Sequence, residues 1–251
     1  MSGALDIFAK RNNLFVKQTT KGCLQECLGC QAQSEFYIAT NEDKQTDIMY
    51  ALEESDCLLR TCCPAIRSFD INVSTAKGVA PFLNIVRPVA CAASPCKCCC
   101  FQSITTTSPD GQLFGSVVEK SWVCVPEFAV IDANGNTTHN LHQPKCCGGM
   151  CVDISKGCCK RIPFNIYPVD NAGNDIEDET RTGSIVKIWN GLKLELFTDA
   201  DKFELLYPSV ADDATKANLL GAVFFLNQLF FEGGGGGGGA QGDVGFASIF
   251  F

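Results

Sequence analysis

The chain is built from short runs in which apolar and polar residues alternate. Residues 69–73, FDINV, alternate without a break, as expected of a half-buried strand. Nine further runs predict strands at 36–40, 48–52, 82–87, 113–119, 128–132, 164–169, 184–189, 193–198 and 203–207. Turn signals such as Asn134-Gly135 separate the runs, and no helical crossover intervenes. The pattern predicts a mainly β domain, an antiparallel barrel or sandwich.

One segment near the C-terminus follows a different pattern. Asp212 and Asp213 can cap a helix that begins near Ala214. Its apolar residues lie on every side, so it is either buried in protein or spans a membrane. The fifteen residues 217–231 rise about 22 Å, whereas a bilayer core of about 30 Å needs roughly twenty. The length favours a core helix that packs through Leu219, Leu220, Val223, Phe224, Leu226 and Phe230.

Seven consecutive glycines, Gly233 to Gly239, mark a flexible linker before a short apolar end. We therefore expect one domain over residues 1–232 and a glycine-rich tail over 233–251. At the other end, Leu14, Phe15 and Val16 lie among basic residues. Two interpretations of that segment stay open: a first strand or helix, and a surface that touches a membrane.

Charge and composition exclude several functions. The net charge is −8, with 20 basic against 28 acidic residues, so nucleic acid is not an expected partner. No nucleophile elbow or phosphate-binding loop is present, and we expect no covalent catalysis. The two histidines, His139 and His142, lie near a turn, where we expect solvent exposure. Residues 1–30 lack the features of a secretory signal peptide, which predicts the cytosol and reduced thiols for the 17 cysteines.

The densest cysteine cluster is Cys96, Cys98, Cys99 and Cys100, with Lys97 between the first two. Adjacent thiols suit one tetrahedral zinc site poorly because consecutive side chains diverge. Thioester acylation fits better, and two or more acyl chains hold a protein on a bilayer. Loop thiols without a role remain the alternative. A second cluster, from Cys146 to Cys159, leaves a zinc or iron–sulfur site open, although it lacks paired C-x-x-C knuckles.

An acidic segment precedes the helix. Asp199 and Asp201 reproduce the first two ligand positions of a calcium loop. Glu204 then stands where an EF-hand has glycine, and Val210 stands where a bidentate carboxylate is required. The spacing therefore leaves calcium open as a candidate cofactor, with a loop that departs from an EF-hand at two positions.

Several separated motifs occur in one order and together resemble the phospholipid scramblases from about residue 5 to residue 232. They are SDCLLRTCCP at 55–64, RPVAC at 87–91, WVCVPEF at 122–128, WNGL at 189–192, FTDAD at 197–201 and the helix at 216–232. The resemblance implies a Tubby-like fold, an antiparallel β-barrel closed around the C-terminal hydrophobic helix. It also implies calcium-stimulated, ATP-independent movement of membrane phospholipids between bilayer leaflets.

The family's site residues carry over as expectations. Palmitate is expected on Cys96, Cys98, Cys99 and Cys100, which places the protein on the cytoplasmic face of the plasma membrane. Calcium is expected at Asp199 and Asp201, at an affinity on the order of 0.1 to 1 mM. The family's nuclear-import stretch maps onto 183–189, where Lys187 is the one basic residue.

Three hypotheses follow. The first is a phospholipid scramblase. The second is an acylated Tubby-like module that binds lipid or protein at the membrane without transport. The third is a metal-cluster protein that uses the cysteines from Cys146 to Cys159. Self-association is left open in each.

Overall fold

The structure, a computed structural model, describes residues 5–19, 34–41, 47–55, 67–90, 96–97, 100–123, 125–144, 161–176, 182–188 and 201–231. In these ranges, twelve antiparallel strands close into a barrel. The strands are β1 (Asn13–Gln18), β2 (Glu35–Ala39), β3 (Asp47–Glu54), β4 (Phe69–Ser74), β5 (Leu83–Arg87), β7 (Ser103–Thr107), β8 (Leu113–Glu119), β10 (Glu127–Asp132), β11 (Thr137–His142), β12 (Arg161–Pro168), β13 (Gly183–Ile188) and β14 (Lys202–Leu206). Their order around the barrel is β1-β14-β13-β12-β11-β10-β8-β7-β5-β4-β3-β2. Two short strands outside the barrel, β6 (Cys96–Lys97) and β9 (Trp122–Val123), pair with each other.

Barrel closure depends on β1, which pairs with β2 on one side and β14 on the other. Its side chains alternate as the pleat requires, so Leu14 and Val16 lie fully buried in the core while Lys17 faces solvent. The N-terminal segment is therefore a first strand, and these two apolar side chains face the barrel interior.

A helix fills the barrel interior. Asp212 caps it by accepting a hydrogen bond from the Thr215 backbone N–H at 2.8 Å, and α1 spans Asp213–Leu226. It continues as a π-helical turn, Asn227–Phe231. The six apolar residues expected to pack in the core are all buried: Leu219, Leu220, Val223, Phe224, Leu226 and Phe230.

The expected fold, a mainly β antiparallel barrel closed around its C-terminal helix, is confirmed. Within the described ranges, no helix has both the length and the apolar character needed to cross a bilayer. The glycine-rich tail, residues 233–251, lies outside the described residues.

One polar residue joins the helix to the barrel wall. Asn218 is 1% exposed, and its Nδ2 donates to the backbone carbonyls of Ser116 at 2.9 Å and Ile131 at 3.2 Å. Its Oδ1 accepts from the Thr106 hydroxyl at 3.1 Å. Gly115 allows this close approach, because a Cβ there would lie 2.5 Å from the Ile131 carbonyl oxygen and 2.7 Å from Asn218 Nδ2. These bonds satisfy a polar group that would otherwise be costly to bury.

The two ends of the barrel differ in what their connections carry. Because all pairings are antiparallel, the connections alternate between the two ends. The connections β1–β2, β3–β4, β5–β7, β8–β10, β11–β12 and β13–β14 belong to one end, and all 17 cysteines of the sequence fall between the strands that they join. We call this end the cysteine rim. The helix begins at the opposite end and finishes here, where Phe230 packs on Phe128 and Phe231 on Phe203.

Candidate functional site at the cysteine rim

The two-stranded ribbon at the cysteine rim carries the first acylation candidate. Cys96 pairs with Val123, and Lys97 pairs with Trp122. The Trp122 side chain is buried, and its Nε1 donates a hydrogen bond to Glu119 Oε1 at 2.9 Å. Trp122 therefore fastens the ribbon to the end of barrel strand β8.

Exposed apolar side chains lie on the ribbon and near the ends of β5 and β7 at the cysteine rim. We define the rim patch as Val86, Val89, Phe101 and Val123, whose exposed fractions run from 39% to 75%. Cys100 is exposed beside Phe101 and has a left-handed backbone with φ 55°, which is uncommon for a residue other than glycine. Cys98 and Cys99 lie outside the described residues. Of the four acylation candidates, the structure therefore describes the backbone of Cys96, in the ribbon, and the exposed Cys100, next to Phe101.

A network of buried polar side chains connects the ribbon to the barrel. Its members, which sequence reasoning missed, are Glu53, Arg67, Arg87, Gln102, Glu119 and Trp122, each at most 5% exposed. Arg67 pairs with the Glu53 carboxylate, and Arg87 donates to the Arg67 carbonyl and to Gln102 Oε1. The Gln102 backbone N–H then donates to Glu119 Oε2 at 3.0 Å. The network runs from strand β3 to the ribbon across the ends of the intervening strands.

Of the two predicted calcium ligands, the structure describes Asp201, since Asp199 lies outside the described residues. The Asp201 carboxylate forms a salt bridge with Lys187 on β13. The Lys187 ammonium also lies over the rings of Phe203, 5.5 Å from its centroid, and Phe231, at 4.9 Å. Lys187 itself is 4% exposed. The structure therefore pairs the predicted calcium ligand Asp201 with a buried internal cation.

Other carboxylates near this rim do not form a larger cluster. Asp70 on β4 lies opposite Glu54 on β3, and burial together with the Glu54 charge raises the pKa of Asp70. In the described ranges, no group of three or more His, Cys, Asp or Glu side chains is placed to hold a metal ion. The second cysteine cluster, from Cys146 to Cys159, lies outside those ranges, so its metal hypothesis stays a prediction.

The two histidines are buried, and the expectation of solvent exposure was wrong. The His142 ring stacks on Tyr167 with centroids 4.4 Å apart, and its Nε2 lies 2.9 Å from Asp175 Oδ2. His139 is buried as well, and desolvation lowers its pKa. The segment of chain after β12 contains Asp175 and contacts His142 on the outer face of the barrel, a contact that the turn at Asn134-Gly135 does not indicate.

Comparison with known proteins places the chain in a family. A family profile described as Scramblase matches residues 1–233. The chain belongs to the scramblase family. It is 30% identical over 228 residues to phospholipid scramblase 1 of Mus musculus, which covers 91% of this chain and 63% of that protein. It is 32% identical over 209 residues to phospholipid scramblase 1 of Rattus norvegicus, 83% of this chain and 57% of that protein.

A third relative is phospholipid scramblase 2 of Bos taurus, 29% identical over 228 residues, 91% of this chain and 71% of that protein. The chain spans less than two thirds of the length of the mouse and rat relatives, at 63% and 57%. No solved structure matches it.

Burial also bears on the nuclear-import stretch that the scramblase resemblance implied at residues 183–189. Lys187, its one basic residue, has its ammonium engaged with Asp201, Phe203 and Phe231. A buried side chain offers no charge to an import receptor. This position therefore serves the packing of the scramblase barrel.

Proposed function

We propose that this protein moves phospholipids between the leaflets of a bilayer without ATP, stimulated by calcium, from the cytoplasmic face of the plasma membrane. The observation that carries the proposal is the family match over residues 1–233, which includes every strand of the barrel and the helix inside it. Membrane phospholipids are the substrate, and no bond in the lipid is made or broken.

Attachment to the membrane is proposed at the cysteine rim. Cys96, Cys98, Cys99 and Cys100 would each take a fatty acyl group from an acyl thioester donor, releasing the donor thiol. One acyl chain binds a bilayer only marginally, whereas two or more hold a protein there. The rim patch supports this orientation because exposed Val123 lies opposite Cys96 on the ribbon and exposed Phe101 follows Cys100.

Calcium would be held by the acidic segment. The Asp201 carboxylate is a ligand of the oxygen type that calcium prefers, and Asp199 would supply a second. The salt bridge between Asp201 and Lys187, together with Val210 at the last position of the loop, supports a weak affinity for calcium. The expected dissociation constant is on the order of 0.1 to 1 mM.

Reconstitution tests the proposed activity. The purified chain is placed in phosphatidylcholine vesicles that contain some phosphatidylserine and a fluorescent lipid, and dithionite then bleaches the probe in the outer leaflet. Scrambling exposes inner-leaflet probe to bleaching, and calcium at about 1 mM should accelerate the loss. Bleaching that stops at the outer leaflet, with calcium present, would contradict the proposal.

A second candidate function is favoured by the filled barrel. Because the helix occupies the interior, the described barrel is a packed core, in the manner of other small barrels. This arrangement suits an acylated module that holds lipid or protein at the membrane without transport. Stable membrane attachment with no lipid movement in the vesicle assay would select this function.

The acylation proposal makes a separate prediction. Replacing Cys98, Cys99 and Cys100 with alanine should lower the ratio of membrane-bound to soluble protein in cells by more than about tenfold. The substitutions remove three of the four proposed acyl chains, and a single acyl chain binds a bilayer only marginally. Sedimentation of membranes measures the ratio. The matched control replaces Cys57, Cys62 and Cys63, three cysteines between β3 and β4 in the sequence, and should leave the ratio unchanged. Equal ratios for the two triple variants would refute acylation at this cluster.

A further inference from the structure

Three basic residues lie in one register row at the cysteine rim, on the outer face of the barrel. In the strand register, Arg161 of β12 lies opposite Ile188 of β13, which lies opposite Lys202 of β14. Lys202 in turn lies opposite Lys17 of β1. Each cation stands at or next to the end of its strand that leads into a rim connection. We call Arg161, Lys202 and Lys17 the basic row.

Strand alternation directs the two lysines of the row outward. Their neighbours in the chain, Val16 and Phe203, are buried in the core, whereas Lys17 is exposed and Lys202 is half-buried. Like charges that stand directly opposite each other on one face of a sheet repel and lower stability. The barrel therefore holds positive charge at this position at a cost to its own stability, which points to a use outside folding.

Few carboxylates oppose the basic row. In the described strands β12, β13, β14 and β1, Glu204 is the one carboxylate on the outer face, and it pairs with the arginine of the row. The nearby carboxylates of Asp201 and Glu35 form salt bridges with other cations, Lys187 and Lys77. The outer face of these four strands thus has more positive than negative charge, in a chain whose net charge is −8.

Apolar side chains lie among the cations. Ile188 stands in the row itself, and Phe15 of β1 lies opposite Glu204 one step along the strand; both apolar side chains are half-buried. Basic side chains beside partly exposed apolar ones are typical of surfaces that meet the headgroup region of a bilayer.

The basic row and the rim patch lie on opposite sides of the same end. The rim patch belongs to β5, the segment before β7 and the ribbon, about half of the strand order away from β13 and β14. A bilayer that meets the cysteine rim end-on therefore meets apolar side chains on one side of the barrel and cations on the other.

We propose that the basic row binds the anionic headgroups of a bilayer, such as those of phosphatidylserine, and forms a second membrane contact that needs neither acyl chains nor calcium. The proposal rests on the proposed orientation of the cysteine rim toward lipid and adds the class of lipid that the rim contacts. Each lysine near an anionic surface strengthens binding about fivefold, and salt screens the attraction. Contacts on both sides of the rim would fix the tilt of the barrel on the membrane.

Flotation with vesicles tests the basic row on the full chain. The protein is produced in bacteria, mass spectrometry confirms that no acyl group is attached, and EDTA removes calcium. Binding to phosphatidylcholine vesicles that contain phosphatidylserine should be at least about tenfold tighter than binding to phosphatidylcholine alone. Sodium chloride at about 1 M should remove this preference, because the Debye length falls to about 3 Å.

Three variants locate the charges responsible. Lys17→Gln with Lys202→Gln should weaken binding to the phosphatidylserine vesicles at least about tenfold. The matched control, Lys10→Gln with Lys77→Gln, removes two exposed lysines at the opposite end of the barrel and should keep the binding. Glu204→Gln removes the carboxylate that opposes the row and should strengthen binding about fivefold, a gain that a misfolded protein would not show.

Several results would overturn the proposal: equal binding of the unmodified chain to the two kinds of vesicle, equal loss in the two double variants, or no gain in Glu204→Gln. Binding to a DNA duplex that is lost in Lys17→Gln with Lys202→Gln, without any preference for phosphatidylserine, would assign the row to nucleic acid and would equally overturn it.

These measurements involve no acyl chain, no calcium and no lipid movement, so they separate this inference from the proposed function. A preference for phosphatidylserine without scrambling would support the basic row and refute the proposed activity. Scrambling by a chain without that preference would do the reverse.

Discussion

Replacing Phe224 with alanine is expected to lower the free energy of unfolding by about 3–5 kcal/mol. Phe224 is 1% exposed, and its ring lies 4.8 Å from that of Phe36 on β2, between centroids. The substitution removes a buried aromatic ring and leaves a cavity between helix and wall that rigid strands fill poorly. Urea unfolding of the purified protein, followed by tryptophan fluorescence, measures the change.

Val210→Ala is the control for Phe224→Ala. Val210 is 82% exposed just before the helix, so its truncation should change stability by no more than about 0.5 kcal/mol. A Phe224→Ala protein with the stability of the Val210→Ala protein would show that the helix does not pack inside the barrel.

Replacing Arg67 with methionine is the second change with a large expected effect, a loss of about 3–5 kcal/mol in the free energy of unfolding. Arg67 and Glu53 are each 3% exposed. Methionine leaves the Glu53 carboxylate buried without this guanidinium, and an uncompensated buried charge is costly. The same unfolding experiment measures the loss.

Two further variants identify the cause of that loss. Lys77→Met breaks the surface pair between Lys77, 62% exposed, and Glu35, and should cost no more than about 1 kcal/mol. Adding Glu53→Gln to Arg67→Met removes the buried charge and should restore part of the stability. If the double variant were less stable than Arg67→Met alone, the buried charge would not be the cause.

Apolar alternation was enough to predict most of the barrel. The runs at 69–73 and 113–119 coincide with β4 and β8 to within one residue, because one face of each strand packs on the helix and the other faces out. The strand predicted at 193–198 lies outside the described residues.

Strands β7 and β11 were missed for a common reason. β7 has the sequence SITTT and β11 has the sequence TTHNLH. In both, polar residues occupy inward-facing positions at which a half-buried strand usually has apolar residues. Thr106 is fully buried yet bonded to Asn218 of the helix, and His142 is buried under the segment that contains Asp175. Tertiary hydrogen bonds satisfy these polar groups, and the local sequence pattern does not indicate such contacts.

The helix shows both what sequence reasoning achieves and where it stops. Its length argued for a core position, which the structure confirms, and the resemblance supplied the barrel around it. The salt bridge between Asp201 and Lys187 could not be predicted from the sequence. Lys187 lies fourteen positions earlier, on a neighbouring strand, and contacts Asp201 only because the two strands pair in the barrel. The polar network was missed likewise, since its members come from six separate segments.

Labelling from within the bilayer tests the central claim, that the helix is the core of the barrel and the cysteine rim faces lipid. The acylated protein is placed in vesicles without calcium and irradiated with an apolar carbene precursor dissolved in the membrane, and labelled residues are mapped by mass spectrometry. Label is expected on the rim patch, at Val89, Phe101 and Val123, and not on α1, Asp213–Leu226. Label along Leu219, Leu220 and Val223 would place the helix in the membrane and contradict the account.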